Sequence, residues 1–277
     1  MSHLIWVLCL AATSLSSPAK APASDPRPLP QSVPGIQTPA TVTVQGPQLP
    51  QPSFADSTAQ ELENAGDEQR TKKAYNDAID YYRMAMKKAD SAELHNKTGI
   101  AYLQLGQLKA AEKEFNHAIK MKSGYAEAYN NLGVIFYMRK KYDRAGKEYE
   151  KALKLDESSA SFHSNLGMAY FEKKAFEKAS GEFMRALELD PQIFERQSLG
   201  GITARMASPE DRARYAYTMA RIFARRGAYD RSLEYLKKAV EEGYSQINDV
   251  YKDEVFVGLR KDPRFAVVMG KTEPLPN

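Results

Sequence analysis

The sequence predicts an all-α fold of about five antiparallel helix hairpins, stacked side by side as a solenoid. Three observations carry this. Matching residues recur at a fixed step: Gly99, Gly133 and Gly167 stand 34 apart, as do Ala111, Ala145 and Ala179, then Phe115, Tyr149 and Phe183, and Ala118, Ala152 and Ala186. A period of that length marks a repeat architecture. Within one step the spacing is helical, since Ala145, Tyr149 and Ala152 are related as i, i+4 and i+7 and share one face. Glycine stops then divide the helices: Gly106 and Gly227 suit the left-handed residue that ends a helix.

Before the repeats come two segments of different character. Leu4 to Ala12 are nine consecutive apolar residues, with Trp6 and Cys9 among them. A membrane span needs about 20, so this run suits the core of a secretory signal peptide. Ala21-Pro22-Ala23 has the small-x-small form of a cleavage site, with Ser14-Leu15-Ser16 as a second candidate, and residues 1–23 are assigned as the signal. An uncleaved anchor is the alternative, because only the terminal amine and His3 precede the apolar run. Residues 24–56 read as a Pro-rich disordered linker. The stretch 18–53 holds ten of the fifteen prolines and three charges, Lys20, Asp25 and Arg27, so it lacks both donors and apolar bulk. A ligand for a proline-reading domain is the other reading of that composition.

The repeat domain spans 57–270. Units run 59–91, 92–125, 126–159 and 160–193, with a fifth at 213–246. In each, small residues at the glycine and alanine columns let two helices approach, and the aromatics fill the space between them. A hairpin of this kind leaves one face uncovered and needs a neighbour, which makes a solenoid. The fourth unit is the clearest: Asn165-Leu166-Gly167, Tyr170, Phe176, Ala179, Phe183, then Ala186 to Pro191. This pattern resembles the tetratricopeptide repeat family, as found in exported bacterial proteins, over about 190 of the 277 residues. The resemblance implies a right-handed superhelix, and a scaffold that binds protein or extended peptide on a concave face. The fifth unit is looser, with Ala220 at the glycine place and Ser232 at an alanine place.

From Ala186 to Ala239 is 53 residues, so 19 are inserted, assigned to 194–212. Phe194 to Leu199, Gly200-Gly201 and Ile202 to Met206 read as a short β-hairpin, with a plain loop as the alternative. Ser208-Pro209 restarts a helix as N-cap and first residue. Apolar residues at helical spacing over 247–270, and Asp262-Pro263, predict a capping helix pair.

The chemistry to be excluded is broad. If the first segment is removed, the chain has neither cysteine nor tryptophan, which rules out thiol catalysis, cysteine-ligated metals and a disulfide framework. His95, His117 and His163 are three, but His95 and His163 occupy one repeat position two units apart. At about 10 Å per helix layer they cannot share a metal, so they read as packing histidines. Motifs for phosphate loops, zinc proteases and nucleophile elbows are absent from the sequence. The expectation is a non-enzymatic protein with no cofactor and no metal. A net charge of +4, from 39 basic and 35 acidic residues, argues nothing about partners by itself, and no nucleic-acid partner is expected.

Two surfaces remain. The resemblance places the second, fifth, sixth, ninth and twelfth positions of each first helix on the concave face. Carried onto this sequence, the candidate peptide-binding residues are Asn96, Lys97, Ile100 and Leu103, then Asn130, Asn131, Val134 and Tyr137, then Asn165, Met168 and Phe171. Amides can bond a peptide backbone, and exposed apolar residues can receive its side chains. The same amides could instead satisfy nearby polar groups. Glu127 and Ser161 fill second positions, and Asn131 and Asn165 sixth ones, where a lysine–arginine clamp for terminal carboxylates would need bases, so the clamp is absent and recognition of a chaperone tail is not expected. The second surface is a basic edge: Lys72-Lys73, Arg139-Lys140-Lys141, Lys173-Lys174 and Arg225-Arg226. It suits an anionic membrane surface, or merely the negative ends of helix dipoles. The reading is an exported, periplasmic or envelope scaffold for a protein or peptide; the alternative is an envelope-surface assembly factor using the basic edge or an uncleaved anchor.

Overall fold

The computed structural model describes residues 56–194 and 208–270. The signal segment, nearly all of the Pro-rich linker and the insert from 195 to 207 lie outside those residues. Ten helices pair as five hairpins. They are α1 (Ala59–Thr71) with α2 (Tyr75–Lys88), α3 (Ala92–Gln104) with α4 (Leu108–Met121), and α5 (Ala126–Met138) with α6 (Tyr142–Leu155). The last two are α7 (Ala160–Glu172) with α8 (Phe176–Leu189), and α9 (Pro209–Arg225) with α10 (Tyr229–Glu241). No strand occurs among the described residues, and from Thr58 onwards these belong to one compact unit. Ile193 and Phe194 are already helical, so no strand starts at Phe194; the rest of the expected hairpin lies outside the described residues.

The repeat columns form the core. Each column glycine faces the column aromatic of its own hairpin. A Cβ on Gly66, Gly99 or Gly133 would stand 2.5 Å from a ring carbon of Tyr82, Phe115 or Tyr149, and on Gly167 2.6 Å from Phe183. Those rings are fully or nearly fully buried, so no room exists for them to swing away. The fifth hairpin uses another solution: Ala220 replaces the glycine and the smaller Leu236 replaces the aromatic, both fully buried. Its Ser232 is buried too, and its Oγ donates to the carbonyl of Ala220 at 2.8 Å.

Helix ends follow from local chemistry. Thr58 and Glu61 form a capping box, Ser91 caps α3, and Ser208 caps α9 ahead of Pro209. Every first helix of a hairpin ends on a left-handed residue: Lys73 (φ 62°), Gly106 (71°), Lys140 (58°), Lys174 (61°) and Gly227 (70°). The bonding is the same in each, as at Lys140 N to Tyr137 O and Lys141 N to Phe136 O, both 2.8 Å.

The C-terminal cap departs from a helix pair. It consists of three 3-10 turns, Ile247–Tyr251, Glu254–Phe256 and Leu259–Lys261, and one short helix, α11 (Pro263–Val268). Val250, Phe256, Leu259 and Phe265 still bury themselves in the core shared by α7 to α10. The apolar spacing found the buried residues. Asp253 caps the second 3-10 turn and Asp262 caps α11, and the first predicted helix runs as short pieces.

Candidate peptide-binding face

The first helices of hairpins two to four carry the candidate residues, one period apart on α3, α5 and α7. The amides among them bond to one another. Asn131 Nδ2 donates to Asn96 Oδ1 at 2.9 Å, and Asn165 Nδ2 donates to Asn130 Oδ1 at 2.9 Å. A longer contact of 3.5 Å runs from Asn130 Nδ2 to Asn131 Oδ1, and Asn96 Nδ2 donates to Tyr125 Oη at 3.3 Å. The result is a continuous amide line across α3, α5 and α7. Asn96, Asn130 and Asn131 are buried and Asn165 is half-buried, so hydrogen bonding replaces most of their hydration.

Lys97 holds the next joint towards the N-terminus. Its Nζ lies 2.5 Å from Glu63 Oε1 and 2.6 Å from Asp67 Oδ2, and Asp67 also accepts from Tyr82 Oη at 2.7 Å. The joint between hairpins one and two is therefore ionic where the next two are amide. Lys97 is committed to this bridge rather than presented to a ligand.

The apolar candidates divide. Ile100, Val134 and Tyr137 are half-buried and offer surface. Leu103, Met168 and Phe171 are only 0, 6 and 1% exposed, so they correct the expectation of an open apolar row. Leu103 packs in the cluster of Leu132, Ile135 and Phe136, and Phe171 meets Phe176 and Tyr215 edge-on at 5.2 and 5.7 Å. At those places the neighbouring hairpin covers the helix. Tyr137 keeps its hydroxyl towards Glu172 Oε1 at 3.3 Å. Burial first, then the Glu172 charge, pushes its phenol well above the ordinary value, so it stays a neutral donor.

Part of the basic edge is neutralised. Lys72 pairs with Glu68 at 2.6 Å, Arg139 with Glu112 at 2.5 Å, Lys173 with Asp143 at 2.5 Å, and Lys174 with Asp211. His95 and His163 take matching roles: each Nδ1 lies 2.6 Å from a carboxylate of the following helix, Glu114 and Glu182. His95 also stacks on His117, with centroids 4.4 Å apart. Among the described residues no group of three metal-ligating side chains comes together, and no helix is long and apolar enough to cross a membrane.

Two tetratricopeptide repeat family models match the sequence, at residues 96–160 and 160–193. The chain carries tetratricopeptide repeats. These matches cover hairpins two to four, where the amide line runs. A search of curated proteins found no match. Among solved structures, PilF of Pseudomonas aeruginosa is similar at 18% identity and TM-score 0.50, covering 73% of this chain and 88% of that one. MamA from Desulfovibrio magneticus gives 18% identity and TM-score 0.47, covering 66% and 94%. The first repeat domain of Spaghetti, solved with an HSP90 peptide, gives 24% identity and TM-score 0.36, covering 45% and 91%.

What the sequence missed is the mutual pairing of the amides. Its signal was present: Asn96 to Asn131 and Asn130 to Asn165 are both 35 apart, one period plus one residue. That offset lets a side chain on one first helix meet its neighbour on the next. The structure thus brings together Asn96, Asn130, Asn131 and Asn165 as one network, flanked by Ile100, Val134 and Tyr137. It leaves Lys97 in an ion bridge and places Leu103, Met168 and Phe171 in the core.

Proposed function

We propose that this tetratricopeptide repeat array is a non-enzymatic scaffold that binds a protein or an extended peptide along the first helices of hairpins two to four, and that it works in the cell envelope after export. The observation that carries the reading is the amide line. Hydrogen-bonding amides, repeated at the period of the fold and flanked by half-buried Ile100, Val134 and Tyr137, match the needs of an extended backbone with alternating side chains. Amides that bond one another can exchange those bonds for a peptide's without net loss of pairing. Export rests on the apolar run Leu4 to Ala12 and the small-residue site that follows.

The test is cross-linking of partners from envelope extract, with the attachment sites mapped. Partners should map to α3, α5 and α7, and Ile100→Glu with Val134→Glu should abolish capture at unchanged helicity. Capture that survives those charges would sink the assignment to this face. The mature N-terminus decides the export reading: a start near Ser24 supports it, and retained Trp6 absorbance opposes it. The alternative, attachment to anionic lipid by the basic edge, is weakened by the carboxylates already paired with Lys72, Arg139, Lys173 and Lys174.

A further inference from the structure

The fourth position of the first helix holds His95 in hairpin two, Tyr129 in hairpin three and His163 in hairpin four. On the second helices of the same hairpins, one period apart, stand Glu114, Glu148 and Glu182. Their side chains are only 19, 14 and 26% exposed. A carboxylate that has lost this much water needs a charged partner. Hairpin three supplies a permanent one. Lys151 Nζ lies 3.0 Å from both oxygens of Glu148, and 5.6 Å from the centre of the Tyr129 ring. In hairpins two and four the ion-pair partner, among the described residues, is histidine alone, with Nδ1 2.6 Å from Glu114 or Glu182.

The second ring nitrogen meets an acceptor too. Nε2 of His163 is 3.1 Å from the main-chain carbonyl of Glu157, in the turn before α7. Nε2 of His95 is 3.1 Å from Asp90 Oδ1, in the matching turn before α3, off the line of a hydrogen bond. A neutral imidazole has one N–H and one lone pair. Whichever nitrogen keeps the proton, the other then aims its lone pair at an oxygen. Only a ring protonated on both nitrogens suits both neighbours, and only that form answers the carboxylate with a charge. Burial opposes a charged ring, but the carboxylate is buried with it, and a neutral ring would leave that charge unanswered.

The surrounding charges do not replace the histidines. Asp80, Arg83 and Lys87 of α2 share a cleft of about 650 Å³ with His95 and Asp90, and exposed His117 of α4 stacks on the His95 ring. The same repeat steps assign Lys147, Glu150 and Lys154 of α6, Glu157 of the turn and Arg185 of α8 to the matching places around His163. Among the described residues none of these cations pairs with Glu114 or Glu182; Arg83 turns to Asp80 and Arg185 to Glu188.

We propose that His95 and His163 are pH-sensitive joints of the array. Each ring carries two protons in the folded chain and ties its first helix to the second helix and to the preceding turn. Loss of the second proton loosens hairpins two and four, while hairpin three, held by Lys151, does not respond. Unfolding frees the rings from both acceptors, so the folded chain binds more protons than the unfolded one. Stability therefore falls as pH rises through the histidine range, about pH 5 to 8. Hairpins two and four carry Asn96 and Asn165, the two ends of the amide line, so the loosening reaches the first-helix face from both sides.

The test is imidazole nitrogen NMR and amide exchange on the full chain from about pH 5 to pH 8, above the carboxylate range. At about pH 7 a free histidine is mostly neutral, whereas His95 and His163 should both still give the doubly protonated signature. Protection factors of amides in α3, α4, α7 and α8 should fall about ten-fold across the range, the effect of losing one charged hydrogen bond, and those of α5 and α6 should fall less. His95→Gln with His163→Gln should remove the pH dependence. Glu182→Gln keeps an acceptor without the charge and should weaken it in hairpin four alone, and His117→Gln should leave it intact. The nitrogen spectrum needs no variant, so it decides the matter even where the double variant fails to fold. Singly protonated rings in the wild type at about pH 6, flat protection, an equal fall in hairpin three, or unchanged pH dependence in the double variant would overturn the proposal.

Discussion

Asn165 Nδ2 donates to Asn130 Oδ1 at 2.9 Å, and the same bond recurs between Asn131 and Asn96 one joint earlier. Neighbouring hairpins are thus held in register by amides as well as by their apolar columns. Replacing Asn96 by Ala strands the buried Nδ2 of Asn131 and should cost about 1–3 kcal/mol in denaturant unfolding. Asn96→Ala with Asn131→Ala should cost less than the sum of the singles. Strict additivity would show that the bond contributes nothing to the joint.

The fit of Gly133 against Tyr149 leaves no room for a methyl group, since its carbon would stand 2.5 Å from Tyr149 Cε1. Gly133→Ala should therefore destabilise by about 1–3 kcal/mol, the usual range for overpacking. Adding Tyr149→Leu copies the Ala220–Leu236 pair of hairpin five. The double variant should be more stable than the sum of the single effects predicts.

Lys140 occupies a left-handed conformation, φ 58°, at a place where hairpins two and five use glycine. For a residue with a side chain this costs about 1 kcal/mol. Lys140→Gly should raise stability by about 0.5 kcal/mol, because glycine's greater freedom in the unfolded chain offsets part of the relief. A melting temperature that falls on this substitution would show that the lysine side chain contributes more than the strain costs.

Asp211 couples α9 to the turn after α7. The Lys174 ammonium, and then the Ser208 hydroxyl, hold its carboxyl below its ordinary value of 3.8 against the opposing effect of burial. A carboxyl whose folded pKa is depressed contributes stability that is present above the unfolded value and lost as pH falls through the folded one. Wild type should thus lose stability below about pH 4 more steeply than Asp211→Asn, so the gap between them should close on acidification. A gap that stays constant from about pH 6 to pH 2 would refute the linkage.

Much of this fold was legible because its determinants are local and periodic. The 34-residue columns mark Gly133, Ala145, Tyr149 and Ala152 as core, and Ser208-Pro209 and Asp262-Pro263 mark helix starts. The site was legible only in part. The resemblance puts Leu103, Met168 and Phe171 on an open face, yet the neighbouring hairpin covers them, and coverage depends on how far one unit is rotated against the next.

Periodicity alone determined that this chain folds as stacked helical hairpins and which column residues face inward, and local glycines and caps marked some of its helix ends. Side-chain size and helical spacing act within a few turns, so a single sequence displays them. Only the tertiary structure decided how the surface is used. It paired Asn96 with Asn131 and Asn130 with Asn165, gave Lys97 to Glu63 and Asp67, and left Tyr217 without a partner. Those outcomes depend on distances between residues of different hairpins, set by packing angles that no one repeat encodes.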